Sequence, residues 1–183
     1  GLIAWFRVPG ADSPSTRRIC LRYTVDSEPR SLWMVVRDVG NIANYANNLS
    51  GSSIVSDSDS GSSVVRECST HRGDLWREVL EINHDSMRID ATFETAREGF
   101  PFPFHEMTGA WEISGFEGGT RLVLSWDVSP VRPRVFDLLL PVWTAFLGLQ
   151  MGRVIQAMVD EATPKDIASD SRWQPANLLG SLC

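Results

Sequence analysis

The chain has 183 residues, of which 43% are hydrophobic and 22% are charged, and these values are typical of one soluble globular domain. The net charge of -6 and the lack of a basic stripe argue against a nucleic-acid partner. Cys20, Cys68 and Cys183 are widely spaced, and their odd number argues against a disulfide framework. We therefore expect a reducing compartment, either the cytoplasm or, if a transit segment was removed, an organelle stroma or matrix.

The chain divides into an N-terminal arm of residues 1–18, a domain of residues 19–163 and a C-terminal tail of residues 164–183. The arm begins with apolar side chains and loosens at Pro9-Gly10, so it either docks on the domain or is disordered. Docking is attractive because the N-terminal half of the last helix needs a second apolar partner. The tail shows no periodic pattern.

The domain begins with one strand and two short helical segments. Residues 19–25 alternate between apolar and polar side chains, which predicts a half-buried strand. Ser27 is a candidate N-cap for a short helix whose first turn holds Glu28 and Pro29. A second, polar helical turn is predicted over residues 41–48. The next segments alternate again and predict six further strands, over residues 54–58, 62–70, 74–82, 87–95, 105–114 and 120–128.

The last element is a helix over residues 134–162. Prolines precede it, Pro164 follows it, and its C-terminal half repeats apolar residues at three- and four-residue spacing. Pro141 interrupts its most apolar part, which falls short of the ~20 residues that a membrane span requires, so we expect no transmembrane segment. We expect this helix to cover the apolar face of the sheet.

Short connections between consecutive strands predict antiparallel neighbours. The expected fold is α+β, a helix-grip arrangement in which a seven-stranded curved antiparallel sheet and two short helices hold a long C-terminal helix. Four stretches carry a family resemblance: VDSEPRSLWMVVRDVGNIANYANNLSGSSIV, GSSVVREC, LWREVLEI and GTRLVLSW. They resemble the START-like, or SRPBCC, superfamily, which includes polyketide cyclases/dehydrases, lipid-transport proteins and the Bet v 1-like plant allergens. This scaffold hosts carriers, sensors and enzymes, so the resemblance implies the fold more strongly than the chemistry.

One charged pair stands out on the predicted inner face of the sheet. A turn at Arg72-Gly73 sets Arg66 opposite Glu78, and Glu78 shares a face with Trp76. The resemblance supports this placement, because relatives have an Arg and a Glu in the matching strands. The pair either fixes the strand register or contacts a carbonyl or hydroxyl of a ligand. Arg66 and Glu78 are therefore also the two candidates for catalysis.

The other candidate ligand-binding residues are large apolar side chains. Core packing is the simpler explanation for each one, but Trp and Met also suit pockets for hydrophobic ligands. The Pro-rich segment 100–104 either plugs one end of the sheet or forms the rim of a cavity. With Arg66 and Glu78, the predicted ligand-binding set consists of Trp76, Phe102, Trp111, Trp126, Leu147 and Met151.

The sequence has no phosphate-binding loop, no GxSxG motif and no cluster with metal-ligand spacing, so we expect no cofactor and no metal. The favoured function is binding or transport of a lipid, an isoprenoid or a polyketide-like molecule between the sheet and the last helix. One alternative is a polyketide cyclase/dehydratase-type enzyme. Another is an interaction module, in which the apolar front of the helix and Gly148/Gly152 form a homodimer or a peripheral membrane contact.

Overall fold

The computed structural model describes residues 16–57, 62–163 and 181–182. The predictions about docking of the N-terminal arm and about most of the C-terminal tail therefore fall outside the described residues. The described residues between 17 and 162 form seven strands, two α-helices and one 3-10 helix, and residues 181–182 form a two-residue strand. Their bounds are β1 (Arg17–Val25), α1 (Pro29–Val36), the 3-10 helix (Val39–Asn44), β2 (Leu49–Asp57), β3 (Ser63–Thr70), β4 (Leu75–Asn83), β5 (Arg88–Phe93), β6 (Phe104–Phe116), β7 (Gly119–Pro130), α2 (Pro133–Ala162) and β8 (Ser181–Leu182).

The strands form one antiparallel sheet in the order β2-β3-β4-β5-β6-β7-β1-β8. Strands β2 to β7 are each hydrogen-bonded to their neighbour in sequence, as the short connections predicted. Together with α1, the 3-10 helix and α2, this sheet is the helix-grip fold, so the predicted fold class is confirmed. The tail adds β8, which pairs with β1 at Leu21 and Arg22. Two residues are too few to show a periodic pattern, so this strand could not be predicted from the sequence.

Two local predictions were wrong. Strand β2 begins at Leu49, five residues before the predicted start, because its Gly- and Ser-rich first half lacks the alternation that marks a strand. The N-cap of α1 is Glu28 and not Ser27. Pro29 keeps the preceding residue extended, which is the N-cap conformation, and the Glu28 carboxylate accepts a hydrogen bond of 2.7 Å from the Ser31 amide.

Helix α2 differs between its two halves. The C-terminal half buries Val154, Ile155, Met158 and Val159 in the core with β1, β7 and α1. The N-terminal half exposes several large apolar side chains. Among the described residues, α2 is the one helix long and apolar enough, by length and composition, to span a membrane, and 22% of its most apolar 18-residue stretch is buried within the domain. Gly148 and Gly152 are both buried, so this pair lies away from the exposed surface that a dimer contact requires.

Cys20 on β1 is disulfide-bonded, whereas Cys68 on β3 is a buried free thiol. An odd number of cysteines prevents complete pairing but still allows one disulfide. The cysteine count is therefore compatible with one disulfide, and the reducing compartment stays a prediction.

Tyr23 connects β1 to α2, because its buried hydroxyl donates a hydrogen bond of 2.8 Å to the carbonyl of Gly148. Burial raises the pKa of Tyr23 to about 12. The unfolded chain would lose this proton near pH 10 and the folded chain only near pH 12, so the stability from Tyr23 is present below pH 10 and lost between those values. We expect Tyr23→Phe to lower the free energy of unfolding by about 1 kcal/mol at neutral pH and to reduce its alkaline decline, as measured by urea unfolding across pH.

Candidate functional site

A cavity of about 610 Å³ lies between the concave face of the sheet and α2, with the 3-10 helix at one side. Most of its wall is apolar and comes from strands β3 to β7 and from α2. Its size falls in the range of small-molecule sites in proteins. The space between the sheet and the helix is therefore not filled by the protein's own side chains.

The structure places all eight predicted ligand-binding residues in the wall of this cavity. Arg66 lies on β3, Trp76 and Glu78 on β4, Trp111 on β6, Trp126 on β7, Leu147 and Met151 on α2, and Phe102 on the connection before β6. Their role in binding a ligand stays a prediction.

Strand β4 shows why the inner face could be identified. Its buried residues Trp76, Glu78 and Leu80 alternate with the half-buried Leu75, Arg77 and Val79, as expected for a strand with one face toward a core. The outward Arg77 forms its own ion pair with Glu67 across β3 and β4, at 2.7 Å. Each face of this strand pair therefore holds one cross-strand ion pair.

Arg66 and Glu78 are directly opposite in the β3–β4 register. Nε and Nη2 of Arg66 donate to the same carboxylate oxygen, Oε1 of Glu78, at 3.0 and 2.8 Å. Nη1 donates to the carbonyl of Val39 at 2.8 Å, which attaches the 3-10 helix to the pair. The side chains are only 12% and 4% exposed, so both charges are largely removed from water. The pair has a structural role that is visible in these contacts.

The ion pair nevertheless has unused hydrogen-bonding capacity. A guanidinium group has five N–H donors, and three of them are used here. No described residue donates to Oε2 of Glu78. A bound hydroxyl could donate to that oxygen, and a bound carbonyl could accept from Arg66. Neighbouring Cys68 does not offer a nucleophile, because burial raises the pKa of its thiol to about 12 and keeps it protonated.

The Phe-Pro segment before β6 closes one end of the cavity. The ring of Phe102 packs against the rings of Trp76, Phe100 and Phe104, with centroid distances of 5.8, 5.4 and 6.5 Å. Phe104 continues this series to Phe136 on α2, at 5.6 Å. These contacts fit the predicted plug between sheet and helix. Phe102 and Phe104 also face the cavity, so the plug forms its end wall.

Two indoles of the wall have unusual surroundings. A Cβ atom on Gly109 would lie 3.1 Å from Cδ1 of Trp126, so glycine at this position makes room for the Trp126 ring against β6. The Nε1 atom of Trp76 is buried and has no hydrogen-bond partner among the described residues. Buried donors are nearly always paired, so this atom is a candidate donor to a bound acceptor.

Sequence reasoning missed a polar part of the wall. Asp38 and Asn48 lie beside the 3-10 helix, and His71, Arg72 and Asp74 lie at the β3–β4 turn. Asp74 accepts a hydrogen bond of 2.9 Å from the Thr70 hydroxyl, and Asp74, His71 and Arg72 all line the cavity. The meeting of this turn with the 3-10 helix depends on the curvature of the sheet, which no local pattern encodes. The described residues contain no cluster of three or more His, Cys, Asp or Glu that could hold a metal.

Comparison with known proteins identifies one family and many similar folds. The family described as polyketide cyclase / dehydrase and lipid transport matches residues 18–162. The structure of the Zhui aromatase/cyclase from a Streptomyces species is similar with a TM-score of 0.66 at 16% identity, over 86% of this chain and 99% of that one. No curated protein matches the chain significantly.

Two further structures have the same fold. TTHA0849 from Thermus thermophilus is similar with a TM-score of 0.63 at 15% identity, over 85% of this chain and 100% of that chain. Ara h 8.0201 is similar with a TM-score of 0.59 at 13% identity, over 81% of this chain and 98% of that chain. At these identities the similarities establish the fold alone.

Proposed function

Since the chain belongs to the polyketide cyclase/dehydrase and lipid transport family of the START-like superfamily, we propose that its cavity binds a hydrophobic or amphipathic small molecule. Lipids, isoprenoids and polyketide-like compounds are the classes that such a cavity suits. The observation that carries this proposal is a cavity of about 610 Å³ whose wall is mainly apolar and contains one buried ion pair.

The wall of the cavity can provide both the free energy of binding and the orientation of the ligand. Apolar ligand surface that leaves water contributes about 25 cal/mol per Å², less the cost of ordering the ligand. The Arg66–Glu78 pair can orient the ligand, because the contacts within the pair and with Val39 hold its unused N–H groups and its second carboxylate oxygen in place. A ligand with one polar end is therefore oriented with that end toward β3 and β4.

We expect the purified protein to bind 1-anilinonaphthalene-8-sulfonate with a rise in fluorescence, and a fatty acid or an anthraquinone to displace the dye. Native mass spectrometry of protein from its own host then identifies the class from any co-purified mass. A protein that neither binds the dye nor retains either competitor would contradict the proposal. Displacement by only one of the two competitors assigns the ligand to a lipid or to an aromatic polyketide class.

A polyketide cyclase/dehydratase-type activity is the second candidate, and the unused oxygen of Glu78 is the observation that favours it. A carboxylate beside a cation can accept a proton from a ligand carbon or hydroxyl while the guanidinium polarises a carbonyl. Binding remains the first candidate because Arg66 and Glu78 neutralise each other's charge, which makes the Glu78 carboxylate a weaker base. Turnover of a poly-β-ketone analogue that disappears in Glu78→Gln, with the fold intact, would reverse this order.

A further inference from the structure

The N-terminal half of α2 exposes a continuous apolar stripe. At about 100° per residue, its six members fall within roughly 100° of each other around the helix axis. They are 42–79% exposed, although all are large and hydrophobic. The stripe consists of Val135, Leu138, Leu139, Val142, Phe146 and Leu149. Contiguous apolar surface of this kind marks a contact site, because soluble monomers rarely leave it open to water.

The start of β1 is attached to the same part of α2. Nε and Nη2 of Arg17, the first residue of β1, donate to the two carboxylate oxygens of Asp137 at 2.7 and 2.9 Å. Asp137 lies in the same turn of α2 as Val135 and Leu138, but at about 100° per residue it falls on the side of the helix opposite the stripe. The residues that precede Arg17 therefore enter the described structure near one end of the stripe, about half a turn around α2 from it, and they act at a high effective concentration because they are tethered.

The composition of this preceding segment matches the stripe. Five of residues 2–8 are large and apolar, namely Leu2, Ile3, Trp5, Phe6 and Val8. The stripe is about 21 Å long, at 1.5 Å per residue. The eight peptide links between Val8 and Thr16 reach up to about 28 Å when extended, which exceeds the roughly 16–19 Å needed to pass half-way around a helix that is about 10–12 Å in diameter, so residues 2–8 can lie along the stripe.

We propose that residues 2–8 of this chain dock on the apolar stripe of α2. Phe146 belongs to the stripe and also lines the cavity. The docked segment therefore supports the helical wall of the cavity from outside. A lipid surface and a second copy of the chain are the other possible occupants. The tether favours the segment over both of them, and the net charge of -6 opposes an anionic membrane.

A thermodynamic cycle in the full chain tests this docking. One variant carries Trp5→Ser and Phe6→Ser, a second carries Leu138→Ser and Val142→Ser, and a third carries all four changes. We expect each pair to lower the midpoint of thermal unfolding by about 4–8 °C, because either change removes the same contact. The midpoint of the third variant should fall by about the same amount as that of either pair, since the effects of substitutions at two sites in contact do not add. Met34→Ser, at a 55% exposed position on α1, should change the midpoint by less than about 2 °C.

Three results would overturn the proposal. The first is an unchanged midpoint in Leu138→Ser/Val142→Ser, which would show a bare stripe. The second is a dimer at low micromolar concentration, seen by sedimentation, that this variant dissociates. The third is flotation of the wild-type protein with phosphatidylcholine vesicles that the same variant abolishes. The docked segment would be established by non-additive losses in the midpoint of thermal unfolding, in a protein that is monomeric and does not bind vesicles.

Discussion

Replacing Arg66 by methionine is expected to lower the free energy of unfolding by about 3–5 kcal/mol, because the change leaves the Glu78 carboxylate buried without a cation. Glu78 is 3% exposed, and both direct contacts of its Oε1 with charged groups come from Arg66. The same change removes the hydrogen bond to the Val39 carbonyl, so the 3-10 helix also loses its attachment to β3. Urea unfolding with fluorescence and far-UV circular dichroism measures the loss.

The adjacent ion pair of the same two strands provides a matched control. Glu67 and Arg77 are also directly opposite in the register, but they lie on the outer face, where their side chains are 24% and 34% exposed. Arg77→Met should therefore cost less than about 1 kcal/mol, as most exposed ion pairs do. Equal losses in the two variants would show that burial does not determine the cost, which would contradict the role assigned to the inner pair.

A double replacement separates the structural role of the inner pair from its role toward a ligand. Arg66→Met with Glu78→Leu removes both charges and should recover most of the lost stability, because apolar residues can replace a buried pair. If the pair only fixes the register, the recovered protein should bind a fatty acid as the wild type does. If the pair orients the polar end, the affinity should fall about 10–100-fold, which corresponds to the loss of a hydrogen bond to a charged group.

The sequence was sufficient for the order and type of the elements. Alternation on β4 identified Trp76 and Glu78 as neighbours on one face, and the Gly-containing turn before it set the register. A tight turn leaves only one pairing that keeps both apolar faces inward, so Arg66 had to face Glu78. This is why the central feature of the candidate site could be predicted without coordinates.

Features that depend on three-dimensional curvature could not be predicted. The polar wall residues Asp38 and His71 belong to different elements, and only the bend of the sheet brings both to one cavity. The same holds for the third contact of Arg66, because the Val39 carbonyl has no side-chain pattern to reveal it. The exposure of the first half of α2 was also not predicted, since its apolar composition indicated that a second apolar partner would cover it.

Filling the cavity has the largest expected effect on ligand binding. Ala91 on β5 is buried, lines the cavity and lies between Leu80 on β4 and Gly109 on β6 in the register. In Ala91→Trp the indole would occupy space that a ligand needs, so we expect the affinity for 1-anilinonaphthalene-8-sulfonate to fall at least about 100-fold. This corresponds to about 3 kcal/mol of binding free energy.

Stability provides the second measurement on the same variant. A large side chain forced into a packed core costs about 1–3 kcal/mol, whereas one that enters an existing cavity displaces no protein atoms. We therefore expect Ala91→Trp to leave the free energy of unfolding within about 1 kcal/mol of the wild type. Thr92→Trp, at the next residue of β5 and exposed on the opposite face, is the matched control and should change neither quantity. Retained dye affinity in Ala91→Trp would show that the ligand binds elsewhere, because the indole and the dye cannot share the space beside Gly109.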